Sequence, residues 1–236
     1  VTRQALEAGE YRLVAGDGSH PHVEGSHDEA DYRHLWHQWV RPNAVLADYL
    51  ESCAQAAGPG ETTIAVHFRA GDMRGYPHHP VAPTIEQAVL STRTLLDTGP
   101  YERVFLATQD QRCVEGFRKE FGSLLNTLAH FRATTASETK STPFLTASKK
   151  PQIRSSSPRP QHLYRLGLEV LADSAMMARC GALVAGSSNV ALLSRVMRQS
   201  PHRDQVWIWN GFSGKSVLRN KLLWTWKSRA SERFGG

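Results

Sequence analysis

TTIAVHFRAGDM, residues 62–73, is a β-branched run that ends in His-x-Arg-x-Gly-Asp. Thr62, Thr63, Ile64 and Val66 suit the pleated, half-buried surface of a sheet, so a buried strand is predicted here. The polar residues arrive where the strand must stop. His67 and Arg69 are two apart and so share one side of the strand. Arg69 carries a planar fork of donors that matches two phosphate oxygens. Gly71 lets backbone approach a ligand closely, and Asp72 can orient Arg69 or accept from a sugar hydroxyl or a base. From this stretch alone, an exposed strand end with one salt bridge reads equally well.

The residues on either side alternate helix and strand. DYRHLWHQWV (31–40) places Leu35, Trp36, Trp39 and Val40 at helical spacing, and Pro42 ends or restarts that helix. NAVLADYLESCAQAAG (43–58) follows, with Val45, Leu46, Tyr49, Leu50 and Cys53 on one apolar face and Gly58 and Pro59 as the stop. Beyond the glycine-containing loop to Pro83, Thr84 caps a helix in which Ile85, Val89 and Leu90 are expected to face inward. RVFLATQD (103–110) is a second strand with a polar end, and QRCVEGFRKEFG (111–122) a helix with Cys113, Val114, Phe117 and Phe121 on one side. QHLYRLGLEVLADSAMMARC (161–180) is a long amphipathic helix. GALVAGSSNVALLSRVMRQ (181–199) is a short apolar strand, a small-residue turn and another helix, and QVWIWNG (205–211) is a final strand. Such alternation predicts an α/β fold with an open, mostly parallel, Rossmann-like sheet.

The chain has 236 residues, 40% of them hydrophobic and 21% charged, which suits one large globular domain or two lobes sharing a cleft. The expected organisation is an N-terminal segment over 1–58, an α/β domain over 59–212 and a basic tail over 213–236. Residues at about 132–160, rich in Ser, Thr, Lys and Pro, read as a flexible insertion. No apolar run approaches the roughly 18 residues of a spanning helix, and there is no secretory signal pattern. The chain begins with Val1, so a membrane anchor or stem outside it is compatible with the sequence. Cys53, Cys113 and Cys180 lack Cys-x-x-Cys spacing, which argues for buried thiols rather than a zinc site. His20, His22 and His27 stand in a loop-like stretch and read as solvated, so no metal site is expected.

The net charge is +6 and the pI about 9.4. Such a balance suits a nucleic acid or a nucleotide diphosphate pocket. The basic stretches at 140–159 and in the tail do not interleave aromatics as a stacking surface does, the tail's tryptophans apart, so no nucleic-acid partner is expected.

Ligands of parallel α/β sheets sit beyond the carboxyl ends of the strands, against helix N-termini. That rule singles out 67–72, 108–110 and 186–189. In the last, Gly186, Ser187, Ser188 and Asn189 join a strand to a helix, and their donors point at whatever lies above the helix start. Ser188 also reads as a simple N-cap. The stretch is not a Walker A loop, and SGKS at 213–216 follows no apolar strand. Thr108, Gln109 and Asp110 read either as part of the site or as a polar cap. Asp173, an acid in a largely apolar helix, is placed for a nucleobase edge or is a surface acid.

LWHQWVRP (35–42), VHFRAGD (66–72), VFLATQD (104–110) and GLEVLADSAMMARCGALVAGSSNVALLSRVM (167–197) together resemble the GDP-fucose-dependent fucosyltransferases. The pattern is that of the α-1,6 group, the core-fucosylating enzymes and rhizobial nodulation homologues. The resemblance covers roughly 33–200. It implies the nucleotide-binding lobe of a GT-B-like, inverting, metal-independent glycosyltransferase with a reduced N-terminal lobe. The donor would be GDP-fucose, the acceptor a glycan or glycoprotein, and no cofactor is implied. Carried over, Arg69 would grip the β-phosphate, His67 and Asp173 would contact guanine or its ribose, and Ser187, Ser188 and Asn189 would donate to the phosphates. Asp72 would help shape the donor pocket and would count with Arg69 and His78 as catalytic, and Gly71 and Asp110 would join the GDP-sugar-binding residues. The family implies a Golgi lumen location in a eukaryote and cytoplasm in a bacterium.

The chain departs from the pattern in places. Ala70 stands where a second arginine is common. Met73 replaces a basic residue, with Arg74 one position on. RGYPHH (74–79) replaces a stretch that holds a carboxylate base, leaving His78 or His79 as the candidate proton acceptor. Loss of catalysis on the same fold, leaving a nucleotide-sugar or glycan binding module, is the alternative.

Overall fold

The computed structural model describes residues 29–69, 80–132 and 159–210. Helices α1 (Glu29–Trp39) and α2 (Ala44–Ala57) lead into β1 (Thr63–Phe68). Then come α3 (Ile85–Thr98), β2 (Arg103–Thr108), α4 (Gln111–Phe121), a single 3₁₀ turn and β3 (Leu125–Asn126). After residue 159 follow α5 (His162–Ala178), β4 (Ala182–Gly186), α6 (Asn189–Met197) and β5 (Asp204–Ile208).

The five strands form one open sheet in the order β3-β2-β1-β4-β5, every pair parallel. β1 is therefore central. It is flanked by β2, reached through α3, and by β4, reached only after three further helices or strands of the opposite flank. The chain reverses its direction of travel across the sheet between β1 and β4, and that is where such sheets open a crevice at their carboxyl ends.

β1 is buried along its whole length, and Ile64, Ala65 and Val66 make it apolar between Thr63 and His67. Ala65 packs with Phe105, Ala107, Leu183 and Ala185 under α2, α5 and α6. Ile64, Val66 and Phe68 pack on the other face with Val104, Leu106 and Val184 under α3 and α4. Burying two faces of a central strand is what stabilises an all-parallel sheet.

The helix starts follow local chemistry. Asn43 caps α2 by accepting from Leu46 N–H, and Gly58 closes it with φ +57°, a left-handed conformation that glycine adopts without strain. Thr84 and Gln87 form a reciprocal capping box at α3.

Three expectations about helix faces change. Leu90 is 61% exposed, because five residues past Ile85 it is turned about 140° away from the stripe formed by Ile85, Ala88, Val89, Thr92 and Leu96. Val45 is exposed because α2 buries only its last turns, through Cys53, Ala54 and Ala57. Helix α1 buries none of Leu35, Trp36, Trp39 and Val40 fully. Ion pairs fasten it instead, Glu29 bridging Arg33 of its own helix and Arg195 of α6. The two-residue β3 was not foreseen, since two residues carry no periodicity. All three cysteines are buried free thiols, as expected.

Candidate functional site

The centre of the site is the junction of β1 and β4. His67 is the last residue but one of β1 and lies beside Ala185 of β4 and Ala107 of β2 in register. Ser188 follows β4 and caps α6: its Oγ accepts from Ala191 N–H at 3.1 Å. The same Oγ lies 3.0 Å from His67 Nδ1. His67 is 8% and Ser188 9% exposed. Burial, with the positive charge of Arg69 added, lowers the His67 pKa to about 3, so the imidazole is neutral at physiological pH.

Ser187, one residue before the cap, has a buried Oγ with no hydrogen-bond partner among the described residues. A sealed, unpaired hydroxyl costs free energy unless something completes it. Asn189, the first residue of α6, is exposed. Arg69 immediately follows β1, two residues beyond His67. The junction brings His67 into contact with Ser188, while Ser187 and Asn189 adjoin Ser188 in the chain and the charge of Arg69 is felt at the imidazole.

Gly186 has its own reason to be glycine. A Cβ there would lie 2.6 Å from Cδ of Pro83. Pro83 belongs to the chain returning to α3, and that return is pinned. Gln87 exchanges amide hydrogen bonds of 2.9 Å with Asn210, which also donates to Ala82 O at 3.2 Å. Neither Pro83 nor the Gln87–Asn210 pair was singled out from sequence; the only signal was two amides at element ends.

Asp110 and Asp173 hold partners within the protein. Asp110 caps α4, accepting from Arg112 N–H at 2.9 Å, and takes the Arg112 guanidinium at 3.0 and 2.6 Å. Burial pushes its carboxyl up, but the Arg112 bonds outweigh this and hold it below the usual range. Asp173 pairs with His130 Nδ1 at 3.2 Å, and His130 Nε2 faces Tyr49 Oη at 3.5 Å. Burial raises the Asp173 pKa. His130 follows β3, so it stayed hidden in the sequence along with that strand.

Beside this chain, Glu169 accepts Arg159 at 2.6 Å through both oxygens and Phe131 N–H at 3.3 Å. Arg159 lies over the Phe131 ring. The residues that flank 133–158 are thereby held together by one carboxylate. Gly71, Asp72, His78 and His79, together with Ala70, Met73 and Arg74, lie outside the described residues, as do His20, His22, His27, most of the 132–160 stretch and the 213–236 tail.

No family model and no curated protein matches the chain. Solved structures are similar in fold. One is NodZ α-1,6-fucosyltransferase co-crystallized with GDP, 14% identical with a TM-score of 0.42 over 70% of this chain and 44% of that one. A second, fucosyltransferase NodZ from Bradyrhizobium, is 14% identical with a TM-score of 0.41. A third is POFUT1 in complex with GDP-fucose, 10% identical with a TM-score of 0.40 over 76% of this chain and 50% of that one. The chain spans half or less of each of the first and third.

Proposed function

We propose that the β1–β4 junction binds the diphosphate of a GDP-sugar, GDP-fucose in the sharpest form of the reading, and that the protein transfers the sugar to a glycan hydroxyl with inversion and without a metal. The observation that supports this is the meeting of two strand ends at the switch point: a neutral His67 hydrogen-bonded to Ser188 at the start of α6, a buried Ser187 hydroxyl with no partner among the described residues, and Arg69 two residues beyond His67. Arg69 and the helix-start donors would stabilise the charge that builds on the leaving GDP, work that a metal does in other transferases.

Calorimetric titration of GDP and GDP-fucose into wild type and Arg69→Ala, without added metal, tests the reading. Loss of a buried charge-assisted phosphate contact should weaken binding by about 2–4 kcal/mol, roughly 30- to 1,000-fold. No GDP binding by the wild type would overturn it.

The lack of a carboxylate in RGYPHH (74–79) and of a second arginine at Ala70 favours a second reading, a binding module of the same fold without catalysis. GDP affinity that collapses in Arg69→Ala, with no turnover or hydrolysis of GDP-fucose, would select it.

A further inference from the structure

The hydrogen bonds around Ser188 can be counted. Its Oγ accepts from Ala191 N–H at 3.1 Å and lies 3.0 Å from His67 Nδ1, and among the described residues it has no other partner. A hydroxyl has one proton to give. If His67 carried its proton on Nδ1, both neighbours of Oγ would be donors, and the hydroxyl proton would be buried without an acceptor at a cost of about 1–3 kcal/mol. If the proton is on Nε2, the Ser188 hydroxyl donates to Nδ1, and the Ala191 N–H, the Ser188 hydroxyl and His67 Nδ1 are all satisfied. A doubly protonated ring would strand the same hydroxyl and sit, buried, beside Arg69.

We infer that Ser188 is a positioning residue that acts through His67: it holds the imidazole as the Nε2–H tautomer, so that the ring meets the ligand as a neutral donor and selects an acceptor oxygen. This rests on the reading of the junction as a nucleotide-sugar site, and it revises Ser188 from a phosphate donor to the residue that aims one. Among the described residues Nε2 has no partner of its own. A phosphoryl oxygen and a keto oxygen of a base offer it the same chemistry, whereas an amino group is refused. The donor facing the phosphates directly is then Ser187, whose hydroxyl is the unpaired one.

The tautomer is measurable without ligand. Long-range proton–nitrogen correlation spectra of the full chain labelled with ¹⁵N-histidine, with His67 assigned by its disappearance in His67→Gln, should show a pyridine-type Nδ1 and a pyrrole-type Nε2. A pyrrole-type Nδ1 in the wild type would overturn the proposal, whatever the protein binds. Ser188→Thr should keep the wild-type pattern. Ser188→Asp keeps a helix cap but offers only acceptors, and should move the proton to Nδ1.

Titration then separates the sources. The loss of one hydrogen bond should lower affinity about 3- to 10-fold in Ser188→Asp but not in Ser188→Thr. A penalty seen with GDP but not with ADP or pyrophosphate assigns a keto oxygen; an equal penalty with all three assigns a phosphate. Unchanged GDP affinity in Ser188→Asp with the proton on Nδ1 would sink the proposal while leaving the site intact. Absence of GDP binding in wild type would instead defeat the site reading, with the spectra still deciding the tautomer.

Discussion

Two helix starts at the same end of the sheet use their caps differently. At the end of β2, Asp110 caps α4 and closes on itself: both carboxylate oxygens are taken by Arg112, two residues on, and its own N–H donates to Thr108 Oγ1 at 3.1 Å. At the end of β4, Ser188 caps α6 and reaches across to His67, 121 residues away in sequence, beside a serine whose hydroxyl has no partner among the described residues. Both follow the pattern of strand, polar residues, helix. A cap that saturates its own partners finishes a helix; a cap that hands its proton to another strand leaves directed donors in a crevice. The difference is one of topology, since β2 leads into its flank of the sheet while β4 starts the other.

The largest test of that contrast uses its two arginines. Arg69→Ala should lose about 2–4 kcal/mol of GDP binding, whereas Arg112→Ala, which removes a half-exposed side chain from Asp110, should leave GDP affinity within about twofold of wild type. Equal losses in the two titrations would erase the distinction.

Next in size is Gly186→Ala. The added methyl would meet the Pro83 ring at 2.6 Å, so the end of β4 or the pinned return to α3 must shift. A loss of about 1–3 kcal/mol in thermal or denaturant unfolding is expected, together with weaker GDP binding.

Asp110→Ala should cost about 1 kcal/mol of stability through the lost cap and leave GDP affinity unchanged. The pH dependence has a definite sign. The folded Asp110 pKa lies below its unfolded value, so its contribution is complete above about pH 4 and is lost as pH falls through the folded value. Stability of Asp110→Asn followed through that acid window should lack this component. An identical acid profile would show that the Arg112 bonds contribute nothing.

The smallest effect concerns a third helix start. Gln161 precedes α5 at φ +52° with no side-chain cap. Gln161→Gly removes the left-handed strain against a larger loss of chain entropy, and a net gain of about 0.5 kcal/mol is expected in unfolding midpoints. A loss would mean that the glutamine is stabilised by something beyond backbone conformation.

Local chemistry was legible wherever it closes within a few residues. The strand at 62–68, the helix caps at Thr84, Ser188 and within 108–110, and the apolar face of α4 can all be read from spacing, because a cap spans three residues and a helical stripe repeats every three or four. The alternation of elements likewise foretold a parallel sheet with its polar strand ends on one side. Leu90 and Val45 were misassigned because an apolar residue in a helix does not say which way the helix is turned or how far the core extends. The tertiary structure decided which strands are neighbours, and with that which polar residues meet. It set β1 against β4, gave His67 its serine, and gave Asp173 the His130 that follows a strand too short to show. Such pairings are made by burying both faces of the sheet over long sequence separations, and no local pattern encodes a partner that only the packing of distant elements brings within 3 Å.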